Sequence, residues 1–113
     1  MRRVILESPY TGDIAANVEY ARAAVRESLL RGEAPIASHL LFAQPGILDD
    51  AVPAERQYGI DAGLAWLAVA QASVVYIDRG ISRGMQLGIA AAKAAGLPVE
   101  YRRLSGARPS LHR

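Results

Sequence analysis

Residues 74–90 read VVYIDRGISRGMQLGIA, and this stretch decides the fold. The apolar run that ends at Asp78 is typical of a strand buried on both faces. A glycine-containing turn follows, and Ser82 then precedes a segment with helical spacing that is closed by Gly96. Such a helix start is an anion site, because its first backbone N–H groups point at whatever lies above them. We expect Gln86 to project from the first turn of this helix.

The rest of the chain repeats the alternation of strand and helix. The predicted elements are a strand at 4–6, a helix at 14–29, a strand at 35–39, a helix from 53 to about 70, a strand at 74–77, a helix at 83–95 and a strand at 98–102. Right-handed crossovers turn this order into a three-layer α/β fold, a flavodoxin- or Rossmann-like parallel sheet of about four to five strands with helices on both faces. Ligands bind such sheets beyond the carboxyl ends of the strands, where loops 8–13, 38–46 and 78–86 are expected to converge.

Composition favours a single soluble, cytoplasmic domain over residues 1–113, with a tail at 105–113 that is expected to be mobile or to reach a partner subunit. Apolar residues make up 51%, and 13 basic against 11 acidic residues leave a net charge of +2, which does not indicate a nucleic-acid binder. No stretch approaches the ~20 apolar residues of a membrane span. The lack of cysteine excludes disulfides and thiolate metal sites.

The loop after the first predicted strand reads ESPYTGD at residues 7–13. It lacks the Gly-Lys-Ser/Thr of a Walker loop and the three glycines of a dinucleotide fingerprint. Ser8 and Gly12 are candidate substrate-binding residues, because glycine lets a ligand approach the backbone and the following helix start favours an anion. Tyr10 is a candidate for stacking on a base. An ordinary turn remains the alternative for this loop.

A histidine follows the second predicted strand on the ligand side of the sheet. His39 is therefore a candidate substrate-binding residue, with a purely structural role as the alternative. The other histidine, His112, lies in the tail, and two histidines without nearby carboxylates make a poor metal site. We predict neither a metal nor a cofactor.

Two aspartates and the start of the last helix complete the candidate set. Asp61 lies in the middle of a helix, where the alternative is a solvated surface carboxylate, and Asp78 ends a buried strand, where the alternative is a helix cap. Two carboxylates at one pocket can divide into an acid and a base according to their surroundings. Ser82 and Gly84 can hold a phosphate or simply form a capped helix. Gln86 is neutral and cannot be an anionic nucleophile.

With these residues in view, the chain resembles the nucleoside 2-deoxyribosyltransferase superfamily, including its nucleotide N-glycosidase members, and is most similar to the short phage-type proteins of that group. The resemblance runs from Val4 to about Tyr101. Its most specific part is GMQLGIA at residues 84–90, which is similar to the family's Gly-Met-Glu-Leu-Gly-x-Ala helix start. Asp61, Asp78 and the loop at 8–13 follow in the family's order and spacing.

The resemblance implies a role for each candidate. A glutamate at the position of Gln86 attacks C1′ of a ribosyl or deoxyribosyl group and forms a glycosyl-enzyme, as in retaining glycosidases. Asp61 contacts the sugar hydroxyl or helps to protonate the base, and Asp78 lines the same pocket. A 5′-phosphate is held by Ser82 and the amides around Gly84. The resemblance further implies that Tyr10 and Gly12 close over sugar and phosphate and that His39 matches a family histidine.

The departure at Gln86 leaves two functions open. The first is an N-glycosidase or deoxyribosyltransferase acting on a nucleoside or nucleoside 5′-monophosphate, inactive as written because the nucleophile is an amide. The second is a non-catalytic module that binds or sequesters a nucleotide, for example in a phage facing host defence. The fit of the other site residues favours an inactivated enzyme over a natural binder. The family resemblance and the small size of the domain also predict a homo-oligomer, a dimer or larger, with the face at 58–69 as one candidate contact surface.

Overall fold

The computed structural model describes residues 1–104, and at its centre lies a sheet of four parallel strands. The strands are β1 (Arg2–Glu7), β2 (Glu33–Ile36), β3 (Ala72–Tyr76) and β4 (Val99–Arg102), in the spatial order β2-β1-β3-β4. This order and the parallel pairing are those of a flavodoxin-like sheet, and they confirm the predicted fold class. The tail at 105–113, with His112, lies outside the described residues.

Four α-helices connect the strands within residues 1–104. They are α1 (Ile14–Leu30), α2 (Ser38–Phe42), α3 (Pro53–Ala65), which continues into a 3₁₀ turn at Trp66–Ala68, and α4 (Arg83–Ala94). Side chains cap two helix starts: Asp13 accepts a hydrogen bond from Ala16 N, and Ser82, as predicted, accepts one from Met85 N. Within the described part of the chain, every helix is too short or too polar to cross a membrane.

Helices cover both faces of the sheet because side chains alternate along each strand. On one face, Val74 and Tyr76 of β3 join the buried cluster that includes Ala24 of α1. On the other face, Val75 packs with Met85 and Ile89 of α4. Both faces of β3 are buried, which explains why its sequence is an unbroken apolar run rather than an alternating one.

The structure corrects the predicted boundaries between the second strand and the third helix. The strand was predicted to reach His39, but β2 ends at Ile36, and His39 lies in the short helix α2. Leu40 of α2 packs against the buried cluster beneath it, and this tertiary contact favours a helical turn in a segment predicted to be a loop. A helix of five residues is too short to show a periodic sequence pattern. The long helix predicted to run to about residue 70 instead changes to 3₁₀ geometry after Ala65.

A buried ion pair joins the two edge strands of the sheet. Arg102 at the end of β4 contacts Glu33 of β2 through two hydrogen bonds, of 2.8 and 2.7 Å. Ser28 Oγ donates a third hydrogen bond to the Glu33 carboxylate, at 2.8 Å. The Arg102 guanidinium, as the strongest influence, and the Ser28 hydroxyl hold the pKa of Glu33 at about 2 despite its burial. This network fixes the carboxyl end of β4 relative to the rest of the sheet.

Candidate active-site cleft

A cleft opens at the carboxyl end of β1, where the fold predicts a ligand site. Its cavity measures about 130 Å³ and is open to solvent on one side. The structure brings several predicted site residues together on its wall, namely Ser8, Tyr10, His39, Ser82 and Gly84. Three of the four helices described here contribute to the lining, because α2, α3 and α4 all face this end of β1.

Ser8, Tyr10 and His39 form a packed polar group on one side of the cleft. The Ser8 hydroxyl and His39 Nε2 are hydrogen bonded at 3.1 Å. The rings of Tyr10 and His39 meet edge to face, with centroids 5.7 Å apart. Burial lowers the pKa of His39 to about 4, so the imidazole is neutral at pH 7. A neutral imidazole and a serine hydroxyl can both donate and accept hydrogen bonds, which suits them to sugar hydroxyls.

Asn17 of α1 holds the loop that carries Tyr10, and the sequence alone did not indicate this role. Its Nδ2 donates to the carbonyl oxygens of Tyr10 and Thr11, each at 3.0 Å, and its Oδ1 accepts from Arg79 Nε at 2.7 Å. The adjacent Gly12 has φ of +101°, a backbone conformation that other residues rarely adopt. Gly12 therefore shapes the turn, while its neighbour Thr11 lines the cleft.

The amino end of α4 forms the opposite side of the cleft. Ser82 caps the helix, as predicted, and Gly84 lines the cavity with nothing within 4 Å of the position where a Cβ would lie. The first backbone N–H groups of a helix have no carbonyl partner inside it; here that of Met85 donates to Ser82 Oγ, and the helix dipole favours negative charge at this end. This end of the cleft is suited to an anionic group.

Glu7, the last residue of β1, is the functional candidate that sequence reasoning missed. It lines the cleft and also an adjoining, mostly apolar cavity between α3 and α4. Its carboxyl group lies against the backbone of Gly88, where an added Cβ would come within 2.1 Å of Glu7 Oε2. Burial raises the pKa of Glu7 to about 8, and no side chain within residues 1–104 forms a hydrogen bond or ion pair with it.

Two sequence signals could have indicated Glu7. It is a charged residue at the end of the apolar run VIL, next to the candidate Ser8. The glycine at position 88 is a second signal, because glycine inside a helix lowers stability unless a close neighbour requires it.

The three predicted catalytic residues lie elsewhere. Gln86 is exposed on α4 and does not line either cavity. It lies two residues after Gly84, and two residues of an α-helix correspond to a rotation of about 200°, so its side chain points away from the side of the helix that carries Gly84. Asp61 is exposed on α3 and accepts a hydrogen bond from Gln57 at 2.8 Å. Asp78 is half-buried, and its Oδ1 accepts hydrogen bonds from Tyr20 OH at 2.6 Å and Leu104 N at 2.8 Å.

These placements separate the candidate residues into two groups. The cleft is lined by five of the six predicted substrate-binding residues, all except Gly12, together with two carboxyl groups that were not predicted, those of Glu7 and Asp50. The predicted nucleophile and both aspartates do not line it, and their catalytic roles stay predictions. The described residues contain no group of three or more histidine, aspartate or glutamate side chains placed to hold a metal ion.

Fold and cleft together define an α/β protein with a cleft at the carboxyl edge of a parallel sheet. Residues 2–102 match the family described as a domain of unknown function (DUF7768), and the chain belongs to that family. Comparison with curated proteins finds no match. Among solved structures, the chain is similar to the 2-deoxyribosyltransferase of the psychrotolerant bacterium Bacillus psychrosaccharolyticus, described as a biocatalyst for the synthesis of nucleosides. The TM-score is 0.63 at 17% identity, over 89% of this chain and 72% of the other.

Proposed function

We propose that the cleft binds a nucleoside or nucleoside 5′-monophosphate and that the protein cleaves or transfers its N-glycosidic bond. The observation that carries this proposal is the convergence of the Ser8–His39 pair, the Tyr10 ring and the amino end of α4 on one cavity. The likeness of the fold to a 2-deoxyribosyltransferase supports the same class of substrate.

Each part of the cleft matches one part of such a ligand. Tyr10 is placed to close over the sugar, the role that the family resemblance implies for it, which leaves the base to extend toward α3. The Ser8 hydroxyl and the neutral His39 ring are placed to bond sugar hydroxyls. The backbone amides around Gly84 and the hydroxyl of Ser82 are suited to a 5′-phosphate, since anions bind at helix amino termini. Arg56 of α3 also lines this cavity and adds a positive charge to it.

The first test is a search for base release. The protein is incubated with the common ribo- and 2′-deoxyribonucleosides and their 5′-monophosphates, and free base is measured by chromatography. The sequence predicts an enzyme that is inactive as written, but Gln86 is exposed and does not line the cleft, so its amide need not prevent cleavage by water. Release from at least one compound is therefore expected, with slower release in Ser8→Ala and His39→Ala variants. No release from any compound would refute the catalytic part of the proposal.

The proposed role of the position of Gln86 has its own test. A glycosyl ester needs a carboxylate, so Gln86→Glu creates the nucleophile that the family resemblance implies. If the exposed position can reach the substrate, this variant gains at least tenfold in rate and forms a covalent adduct with a 2′-fluoro nucleoside, visible by mass spectrometry. An unchanged rate without an adduct would show that the position takes no part in the chemistry.

The second candidate function is non-catalytic nucleotide binding, which would suit a phage protein that sequesters a host signalling nucleotide. It is favoured by the amide at position 86, because an amide cannot form the glycosyl ester. Titration calorimetry with the same compounds distinguishes the two functions. Tight binding without base release, also in the Gln86→Glu variant, would support the binding module.

We further propose that the protein self-associates through the face formed by α3 and the 3₁₀ turn after it. None of the residues of α3 is buried, and the exposed side chains include Tyr58 at 70% and Trp66 at 45%. Uncovered aromatic side chains of this size are typical of contact surfaces. Sedimentation should give a dimer or larger at micromolar concentration, and Tyr58→Glu should shift it toward monomer. A wild-type monomer under these conditions would refute self-association.

A further inference from the structure

We propose that Glu7 is the catalytic acid of the cleft, the group that protonates the leaving base. This inference rests on the proposed N-glycosidic activity and assigns its proton transfer to a residue outside the family resemblance. It depends on the position of one carboxyl group relative to two cavities and one helix.

The first observation is the place of Glu7 between two chemically different regions. On one side is the polar cleft with Ser8 and His39, and on the other is an apolar cavity of about 100 Å³ whose lining includes Ile60 and Leu64 of α3. The Glu7 carboxyl group belongs to the lining of both. A ligand that places its sugar in the polar cleft and its base toward the apolar cavity therefore has the bond between them near Glu7.

The second observation is the close approach of α4. An added Cβ at Gly88 would lie 2.1 Å from Oε2 and 2.7 Å from Cδ of Glu7, so only glycine leaves room for the carboxyl group there. Glycine inside a helix lowers its stability relative to alanine. The helix α4 thus leaves room for the Glu7 carboxyl group at the cleft at some cost to its own stability.

Burial favours the protonated form of Glu7, and the groups that line the same cleft do not offset it. The titratable groups that line this cleft are Tyr10 in the loop after β1 and the neutral imidazole of His39 in α2. Asp50, in the loop before α3, and Arg56 of α3 also line it, and these two carry opposite charges. The lining residues of α4 carry no charge. No cation within residues 1–104 pairs with the carboxyl group, and burial raises the pKa of Glu7 to about 8. At pH 7 Glu7 therefore holds a proton that it can donate.

The reaction balances with water as the only other reactant. The Glu7 carboxyl group gives its proton to the base, the bond between C1′ and the base nitrogen breaks, and its electron pair leaves with the base. The oxygen of a water molecule bonds to C1′, and the proton that this water loses returns to the Glu7 carboxylate. The products are the free base and the free sugar, and Glu7 is restored to its acid form.

The test compares two kinds of leaving group. A nucleobase needs a proton to leave, whereas 4-nitrophenolate leaves without one, so the 4-nitrophenyl glycosides of ribose and 2-deoxyribose do not depend on an acid. Glu7→Gln keeps the shape and neutrality of the protonated side chain but cannot transfer a proton. We expect this variant to lose about 100-fold or more in base release from nucleosides, the usual contribution of an acid. It should lose less than about tenfold in nitrophenolate release.

The outcomes separate this inference from the proposed function. Suppose that the wild type cleaves nucleosides, and that Glu7→Gln either slows the cleavage of both substrate classes equally or slows the cleavage of neither. The proposed function then stands, and Glu7 is not the acid. If the wild type cleaves no compound of either class, the proposed function fails and this inference fails with it. A wild-type rate on nucleosides that declines above about pH 8, with a flat profile for the nitrophenyl glycosides, would support the acid role.

A second variant moves the carboxyl group from the strand to the helix. Glu7→Ala vacates the space beside α4, and Gly88→Glu in the same chain supplies a carboxyl group from that side. The double variant is expected to regain at least tenfold of the nucleoside activity that Glu7→Ala loses. Circular dichroism checks that both proteins fold, and a folded double variant no faster than Glu7→Ala counts against the inference.

Discussion

The buried carboxyl group of Glu7 should make the stability of this protein fall as the pH rises. Burial raises its pKa from 4.5 to about 8, so the folded protein holds the proton over a range in which the unfolded chain has released it. Unfolding then releases one proton, and the free energy of unfolding decreases by about 1.4 kcal/mol for each pH unit between those values. The penalty is absent at pH 4 and reaches about 3 kcal/mol at pH 7 and about 5 kcal/mol at pH 9. Glu7→Gln, which is neutral at every pH, removes this penalty.

The assay is urea unfolding followed by circular dichroism at pH 5, 7 and 9. The free energy of unfolding of Glu7→Gln minus that of the wild type is expected to increase steadily over this series. Other titrating groups affect both proteins alike, so the difference reports on Glu7. Glu19→Gln is the matched control, because it removes the same group from an exposed position of α1 where there is no burial to relieve. A difference for Glu7→Gln that stays constant with pH would refute the reasoning.

Three further changes test other parts of the structure. Gly88→Ala should push the Glu7 carboxyl group toward solvent and lower the pKa of Glu7 below about 8, as measured by carbon-13 NMR. Gly84→Ala is the control, because nothing lies within 4 Å of its new methyl group and the pKa of Glu7 should not change. Equal pKa values of Glu7 in both variants would contradict the close packing at Gly88. Arg102→Ala should lower the free energy of unfolding by about 3 kcal/mol, because it leaves the buried Glu33 carboxylate without its main partner. A loss below about 1 kcal/mol in urea unfolding would show that this ion pair contributes little. Asn17→Ala removes the hydrogen bonds to the carbonyl oxygens of Tyr10 and Thr11, so it should lower the free energy of unfolding by about 1–3 kcal/mol and weaken nucleotide binding in calorimetry. Unchanged binding would show that the loop carrying Tyr10 holds its shape without Asn17.

Much of the fold was predictable because its elements carry strong local signals. The unbroken apolar run of β3 and the helical spacing of α4, closed by Gly96, gave the right type and nearly the right limits for both elements. The prediction failed at α2, where the helix depends on the packing of Leu40 against the core rather than on its own sequence pattern. Tertiary contacts of that kind leave no periodicity to find.

The cleft was less predictable than the fold, and the reason is geometric. Loop residues such as Ser8 and His39 could be placed, because the carboxyl ends of parallel strands meet at one edge. Gln86 was expected at the same edge, but the direction of a helical side chain depends on the rotation of the whole helix. In α4 that rotation is set by Met85 and Ile89, which pack on the sheet and turn Gln86 outward. Glu7 was missed because its significance depends on the glycine it meets from another element, at position 88.

The helix α3, which forms one wall of the cleft, has no buried residue anywhere along its length. Segments with few buried contacts open at low free energy and exchange their amide hydrogens quickly. A ligand that packs against this wall is therefore expected to reduce its opening, which lowers the observed affinity but also makes the wall responsive to occupancy. Slower amide exchange across α3 in the presence of a nucleotide would then report occupancy of the cleft even for a compound that is never cleaved.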